Sequence, residues 1–252
     1  MADSNELSGK VAIVTGAGRN IGRAIAHQLA QAGAAVVVNV RSNQAEADTV
    51  VREIEAAGGK ALAHIANVAD AAAVQAMVAA ALQRFGRIDI LVNNAALRRE
   101  KPFDRMSYAD WREIMDVTLD GAFHCVQACL PALRASGAGA IVNIGGMSAH
   151  TGAKNRAHVV TAKAGLVGLT RALAHDLGPD KITVNCVVPG LIGTPRPKGE
   201  PEPAHHFTHG TISGERGVPE DVAASVRYLC GPAARYVTGQ SIHINGGAYL
   251  AS

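Results

Sequence analysis

Three features of the amino-acid sequence predict an α/β fold, a doubly wound parallel sheet with helices on both faces, three layers deep (α/β/α). Short apolar runs alternate with helical patterns along the chain, and repeated βα units require parallel pairing through right-handed crossovers. Hydrophobic residues make up 48% of the sequence but aromatics only 4%, the composition of strands buried on both faces and packed by small aliphatic side chains. No linker, repeat or low-complexity tract breaks the alternation, so residues 1–252 are expected to form one domain. A chain of that length buries enough apolar surface to need no staples.

The first strand is read over 11–15 and its helix over 21–32. Strand 35–40 leads into a helix ending near 57, strand 61–66 into helix 71–85, and a fourth strand covers 88–92. A long helical stretch over 108–136 precedes strand 140–144; helix 158–177, strand 182–187, helix 219–229 and strand 241–244 complete the pattern. One irregular stretch, 193–214, is rich in Pro, Gly and His. A loop that long in a compact domain usually serves as a lid or a binding loop.

Composition excludes several classes of function. A net charge of +3 gives no argument for nucleic acid as a partner. No apolar run reaches the roughly 18 residues of a membrane span, and residues 1–10 lack the apolar core of a signal peptide. A cytoplasmic protein with a small-molecule substrate is expected. Cys125, Cys129, Cys186 and Cys230 form no CxxC pair and read as reduced, mostly buried thiols. His205, His206 and His209 fall in the lid without a carboxylate ligand at matching spacing, so no metal site is expected.

The first strand runs straight into Thr15-Gly16-Ala17-Gly18-Arg19-Asn20-Ile21-Gly22, and a helix follows. Glycines between the first strand and first helix of a βαβ unit let the backbone approach a pyrophosphate, and the helix N-terminus offers it unpaired N–H groups. The expected architecture is therefore of Rossmann type.

These residues resemble the cofactor motif of the short-chain dehydrogenase/reductase family, Thr-Gly-x-x-x-Gly-x-Gly, at Thr15, Gly16 and Gly22. Asn20 stands at the middle glycine, and Asn tolerates a left-handed backbone better than most residues. Asn93-Asn94-Ala95-Ala96 resembles the family's Asn-Asn-Ala-Gly motif, and Pro189-Gly190-Leu191-Ile192-Gly193-Thr194 the segment that cradles the nicotinamide. Thr238-Gly239-Gln240 and Asn245-Gly246-Gly247 resemble the C-terminal signature, with Asn245 where Asp is usual. The resemblance spans nearly the whole chain. It implies cofactor contacts at Gly16, Gly18, Arg19, Asn20, Ile21, Gly22, Arg41, Ser42, Asn67, Val68, Asn94, Ala95, Lys163, Pro189, Gly190, Ile192 and Thr194. Asn67 would contact the adenine. The C-terminal segment is similar to that of members assembling through a paired long helix and the last strand, which implies a homotetramer with two-fold interfaces.

An acidic residue ending the second strand would bind the ribose hydroxyls of NAD and repel a 2′-phosphate. Val40 stands there, Arg41 and Ser42 follow, and Arg19 lies in the glycine turn. Arg suits a phosphate through its charge and planar donor fork, and both arginines fall where NADP-dependent members carry basic residues. NADP(H) is the expected cofactor, against the reading of two solvated surface arginines.

The family's proton donor is a Tyr four residues before a Lys on one helix face. The Lys-Ala-Gly segment identifies Lys163, but Val159 occupies the Tyr position, Gly146 the usual Ser position and Thr118 the usual Asn position. Lys163 alone of the four remains. Ser148 would point toward substrate if the strand continued to it. His158 titrates near neutrality but is rotated by about 100° from the vacant position. Arg98, Arg99, Lys101, Lys154 and Arg156 gather near the inferred pocket mouth, either as solvated loop residues or as the seat of an anionic substrate. The resulting expectation is an NADP(H)-dependent oxidoreductase acting on a small carbonyl or imine compound, with a non-standard proton donor. A catalytically inactive nucleotide-binding sensor or partner subunit, and a non-redox lyase or isomerase, stay open beside it.

Overall fold

The computed structural model describes residues 5–194 and 210–250. Most of the expected lid, 195–209, with His205, His206 and His209, lies outside the described residues. Among the described residues, seven strands form one parallel sheet in the order β3-β2-β1-β4-β5-β6-β7. They are β1 (Val11–Val14), β2 (Ala35–Val40), β3 (Lys60–Ile65), β4 (Ile90–Asn93), β5 (Ala140–Ile144), β6 (Thr183–Pro189) and β7 (Ser241–Ile244). The strand order reverses between β1 and β4, the switch point at which such sheets open a ligand crevice.

Alternation along the strands divides the core. Ala12 and Val14 of β1 pack with α1 (Asn20–Gln31), α2 (Gln44–Ala56) and α8 (Pro219–Cys230). Ile13 faces the opposite layer, with α3 (Ala71–Phe85) and α5 (Gly121–Ala135). Local signals set the ends. Asp70 accepts from the N–H groups of Ala72 and Ala73 at the start of α3 (2.9 and 3.3 Å), and Gly86 ends it at φ 77. Asn43 caps α2, and Ser107 with Asp110 forms a capping box on α4 (Tyr108–Met115).

Three departures from the expected boundaries exceed one residue. The fourth strand begins at Ile90; Asp89 before it bonds through its backbone to Val11 O and Ala140 N (both 2.9 Å), and its buried carboxylate accepts from Val11 N (3.0 Å) and is paired with Lys10 and Arg87. The sixth strand runs on to Pro189, since β7 pairs with it as far as Pro189 opposite Ile244. The helix expected over 108–136 is interrupted by a π turn, Asp116–Asp120, whose ends are tied together by Arg112 bonding to both Asp116 and Asp120. Helix α6 (Ser148–Thr151) was not foreseen, and α7 spans Ala157–Leu177. All four cysteines are buried and unbridged. No helix among the described residues is long and apolar enough to cross a membrane.

Candidate active site

The glycine turn is held from three sides at the switch point. Thr15 Oγ1 accepts from the N–H groups of Asn94 and Ala95 (both 3.0 Å). The Asn94 side-chain amide donates to the carbonyls of Thr15 (2.8 Å) and Gly16 (3.0 Å). Buried Asn39 donates to Ala66 O (3.0 Å), while its own backbone carbonyl accepts from Ala17 N (2.8 Å). Asn39 is a residue that sequence reading missed; a polar side chain inside the apolar run Ala-Val-Val-Val-Asn-Val was the available signal.

A Cβ at Gly22 would lie 2.3 Å from Gly16 O and 2.5 Å from the Asn94 amide, so α1 can approach the turn only with glycine there. Asn20 adopts φ 51, the left-handed conformation expected of a residue replacing glycine. Helix α1 has no side-chain cap: Arg19 is its N-cap residue and makes no capping bond. Its first N–H groups therefore stay available for an anion, and the cradle fits a dinucleotide pyrophosphate. Arg19, Arg41 and Ser42 are exposed around it, as is Asn67. One further group is present: Glu46 on α2 reaches the turn, its Oε2 lying 3.0 Å from where a Gly18 Cβ would be.

The segment 189–194 is fixed by its own contacts. Gly190 N donates to Ile244 O (2.8 Å), and a Cβ on Gly190 would lie 2.6 Å from Asn245 Cβ. Ile192 bridges to Gly217, and Gly193 N donates to Gly217 O (2.8 Å). Asn245 donates from its amide to Tyr249 O (2.8 Å), a bond that the usual Asp carboxylate could not make.

Lys163 is buried on α7, and its Nζ donates to Ile144 O at the end of β5. Burial, and then the positive charge of Arg98, push its ammonium down to about 8. A Cβ on Gly146 would meet nothing nearer than Lys163 Cγ at 3.9 Å, so the space beside the lysine is open. Val159 is buried with Ile114 and Ala162, against Leu97 and Met115. Thr118 lies in the π turn, its Oγ1 buried without a hydrogen-bond partner in the structure. It lines a crevice with Thr15, Val68, Asn93 and Ala95. π turns recur at functional sites.

Ser148 and His158, the two candidate substitutes, lie on different elements. Strand β5 stops at Ile144, and the chain turns through Gly145 and Gly146 into α6. Ser148 therefore opens a helix instead of sharing a strand face with Gly146, and the premise for aiming it at substrate fails. His158 is buried and held below its ordinary value by burial. The charge of Arg156 acts on both His158 and Lys163, that of Asp110 and Arg99 on His158, and that of Arg98 on Lys163.

A family profile described as Enoyl-(Acyl carrier protein) reductase matches residues 16–249. The 3-oxoacyl-[acyl-carrier-protein] reductase FabG of Staphylococcus aureus is 40% identical over 242 residues, 96% of this chain and 98% of that protein. The chain belongs to the short-chain dehydrogenase/reductase family. A crystal structure of a dehydrogenase/reductase from Sinorhizobium meliloti superposes with a TM-score of 0.91 at 38% identity, covering 98% of each chain. A short chain dehydrogenase from Burkholderia cenocepacia, solved in complex with NADP, superposes with a TM-score of 0.89 at 37% identity, covering 97% of this chain and 99% of that one. As a short-chain dehydrogenase/reductase, this protein is an oxidoreductase that uses a nicotinamide cofactor.

Proposed function

We propose that the protein is an NADP(H)-dependent reductase of a small carbonyl or imine compound in which Lys163 replaces tyrosine as the proton donor. One observation carries this: Lys163 is a buried titratable group beside the open space at Gly146, with Val159 one helical turn before it. The bound nicotinamide supplies the hydride. The glycine turn and the N-terminus of α1 hold the pyrophosphate, and Arg19 and Arg41 the 2′-phosphate. Asn67 contacts the adenine, and Ile192 and Thr194 flank the nicotinamide. Lys163, cationic at neutral pH, gives its proton to the carbonyl oxygen; an iminium carbon needs none. A positioned acid typically contributes about 10²–10⁴ in rate. The 3-oxoacyl substrate named for the S. aureus relative and the NADP in the B. cenocepacia complex support the reaction class and the cofactor.

Single-turnover oxidation of bound NADPH across a panel of ketones, oxo acids and imines tests the proposal. Ketone reduction is expected to fall as pH rises through about 8, because the protonated lysine is the active form. Lys163→Arg, which stays charged, should lose that break. A wild-type rate without a break in this range assigns the proton to another group and overturns the role of Lys163.

A further inference from the structure

Helix α4 does not pass smoothly into α5. Between them Gly121 N–H donates to Asp116 O, a step of five residues where a regular helix takes four. The π turn so formed meets three parts of the site. Thr118 lines the crevice with Thr15, Asn93 and Ala95. Leu119 packs on the bare backbone of α7: a Cβ on Gly165, two residues past Lys163, would lie 2.8 Å from Leu119 Cδ2. At the exit of the turn, a Cβ on Gly121 would lie 2.6 Å from Val68 Cγ2, and the His124 ring donates from Nδ1 to Val68 O (3.2 Å). The π turn is thus wedged between the glycine turn, the segment after β3 and the helix that carries Lys163.

Thr118 does not hold the turn itself, since its Oγ1 has no partner among the described residues. Arg112 on α4 does: its Nη2 donates to Asp116 and to Asp120 at once. Four residues of a regular helix overshoot a full turn by about 40°, so in an unbroken helix Arg112 and Asp120 would stand about 80° apart. The π turn fits an extra residue into one turn and takes back part of that rotation, which brings Asp120 under the guanidinium. Pairing with both aspartates therefore favours the π form over the regular one, and offsets the repulsion of two carboxylates four residues apart. We infer that Arg112, acting through Asp116 and Asp120, is a positioning residue that locks the π turn and so keeps the glycine turn, Val68 and α7 in register around the cofactor. The inference rests on the placing of the cofactor in the proposed function.

Amide hydrogen exchange over the turn and fluorescence titration with NADPH, on the full-length protein and its variants, test the role. Arg112→Gln should speed exchange over 116–121 and weaken NADPH about fivefold, near the most that an exposed ion pair contributes. Arg112→Lys, which can still bridge both carboxylates, should hold both readings within about twofold of wild type. Asp120→Asn, which removes one arm of the clamp without leaving a repelled carboxylate, should fall between, and it decides the matter if Arg112→Gln does not fold. Arg134→Gln breaks another ion pair of α5, with Asp180 (2.7 Å), and should change neither reading. An ion pair that merely stabilised the fold would lower the unfolding midpoint and leave NADPH affinity alone. Wild-type affinity in both Arg112→Gln and Asp120→Asn, a loss of affinity without faster exchange at the turn, or an equal loss in Arg134→Gln overturns the positioning role. A wild type that binds NADH more tightly than NADPH counts against the proposed phosphate contacts alone, because the same comparisons then run with NADH.

Discussion

Replacing Lys163 by Met should stabilise the folded protein at neutral pH. A tenfold change in proton affinity is worth about 1.4 kcal/mol, so lowering the lysine from its ordinary 10.5 to about 8 makes its buried charge cost about 3 kcal/mol. Removing the bond to Ile144 O gives back about 1 kcal/mol, leaving a gain of about 2 kcal/mol near pH 7. The sign follows from proton binding. Between about 8 and 10.5 the unfolded chain holds a proton that the folded one has released, so wild-type stability rises with pH there. The gain of Lys163→Met is therefore full below about pH 8 and nearly gone by about pH 10. Urea unfolding of both proteins, without cofactor and at one protein concentration, reads the difference at each pH. A variant no more stable than wild type near pH 7, or a gain that is the same near pH 10, would refute the reasoning. In the same variant, ketone reduction should be lost, the usual exchange between stability and a strained site.

Arg41→Ala should weaken NADPH about tenfold and leave NADH nearly unchanged in parallel fluorescence titrations; equal wild-type affinities for the two cofactors would sink the assignment. Glu46→Gln should tighten NADPH by about two- to fivefold, since it removes a carboxylate that reaches Gly18 beside the phosphate-binding turn. Gly146→Ser with Val159→Tyr should raise turnover of simple ketones more than the separate gains predict, because such groups act as a unit. The serine enters open space, whereas the tyrosine enters a packed cluster and should lower stability by about 1–3 kcal/mol, readable by denaturation. Light scattering at micromolar concentration should return the mass of a homotetramer; a monomer mass contradicts it.

The sheet was legible in the sequence because a fully buried parallel strand must be an aliphatic run, and the glycine turn because close backbone approach and φ 51 at position 20 admit few residue types. Lys163 and the vacancies at Val159 and Gly146 were legible through the resemblance to the family, whose motif sets the spacing. Direction was not. The end of strand 140–144 was legible, but the path beyond it was not: Ser148 was aimed at substrate on the condition that the chain stayed extended, whereas it turns into α6. The π turn at Thr118 depends on Arg112 spanning two aspartates, a contact that sequence spacing allows but does not require. The five cations near the mouth looked equivalent, since charge type says nothing of partners. Folding sorted some of them, by bringing Glu113 to Arg99 and Asp110 to Lys101, and by burying Arg156. Periodicity and backbone sterics are properties of a short stretch of chain and can be read from it. Which ion pairs form is settled by contacts between separate segments of the folded chain.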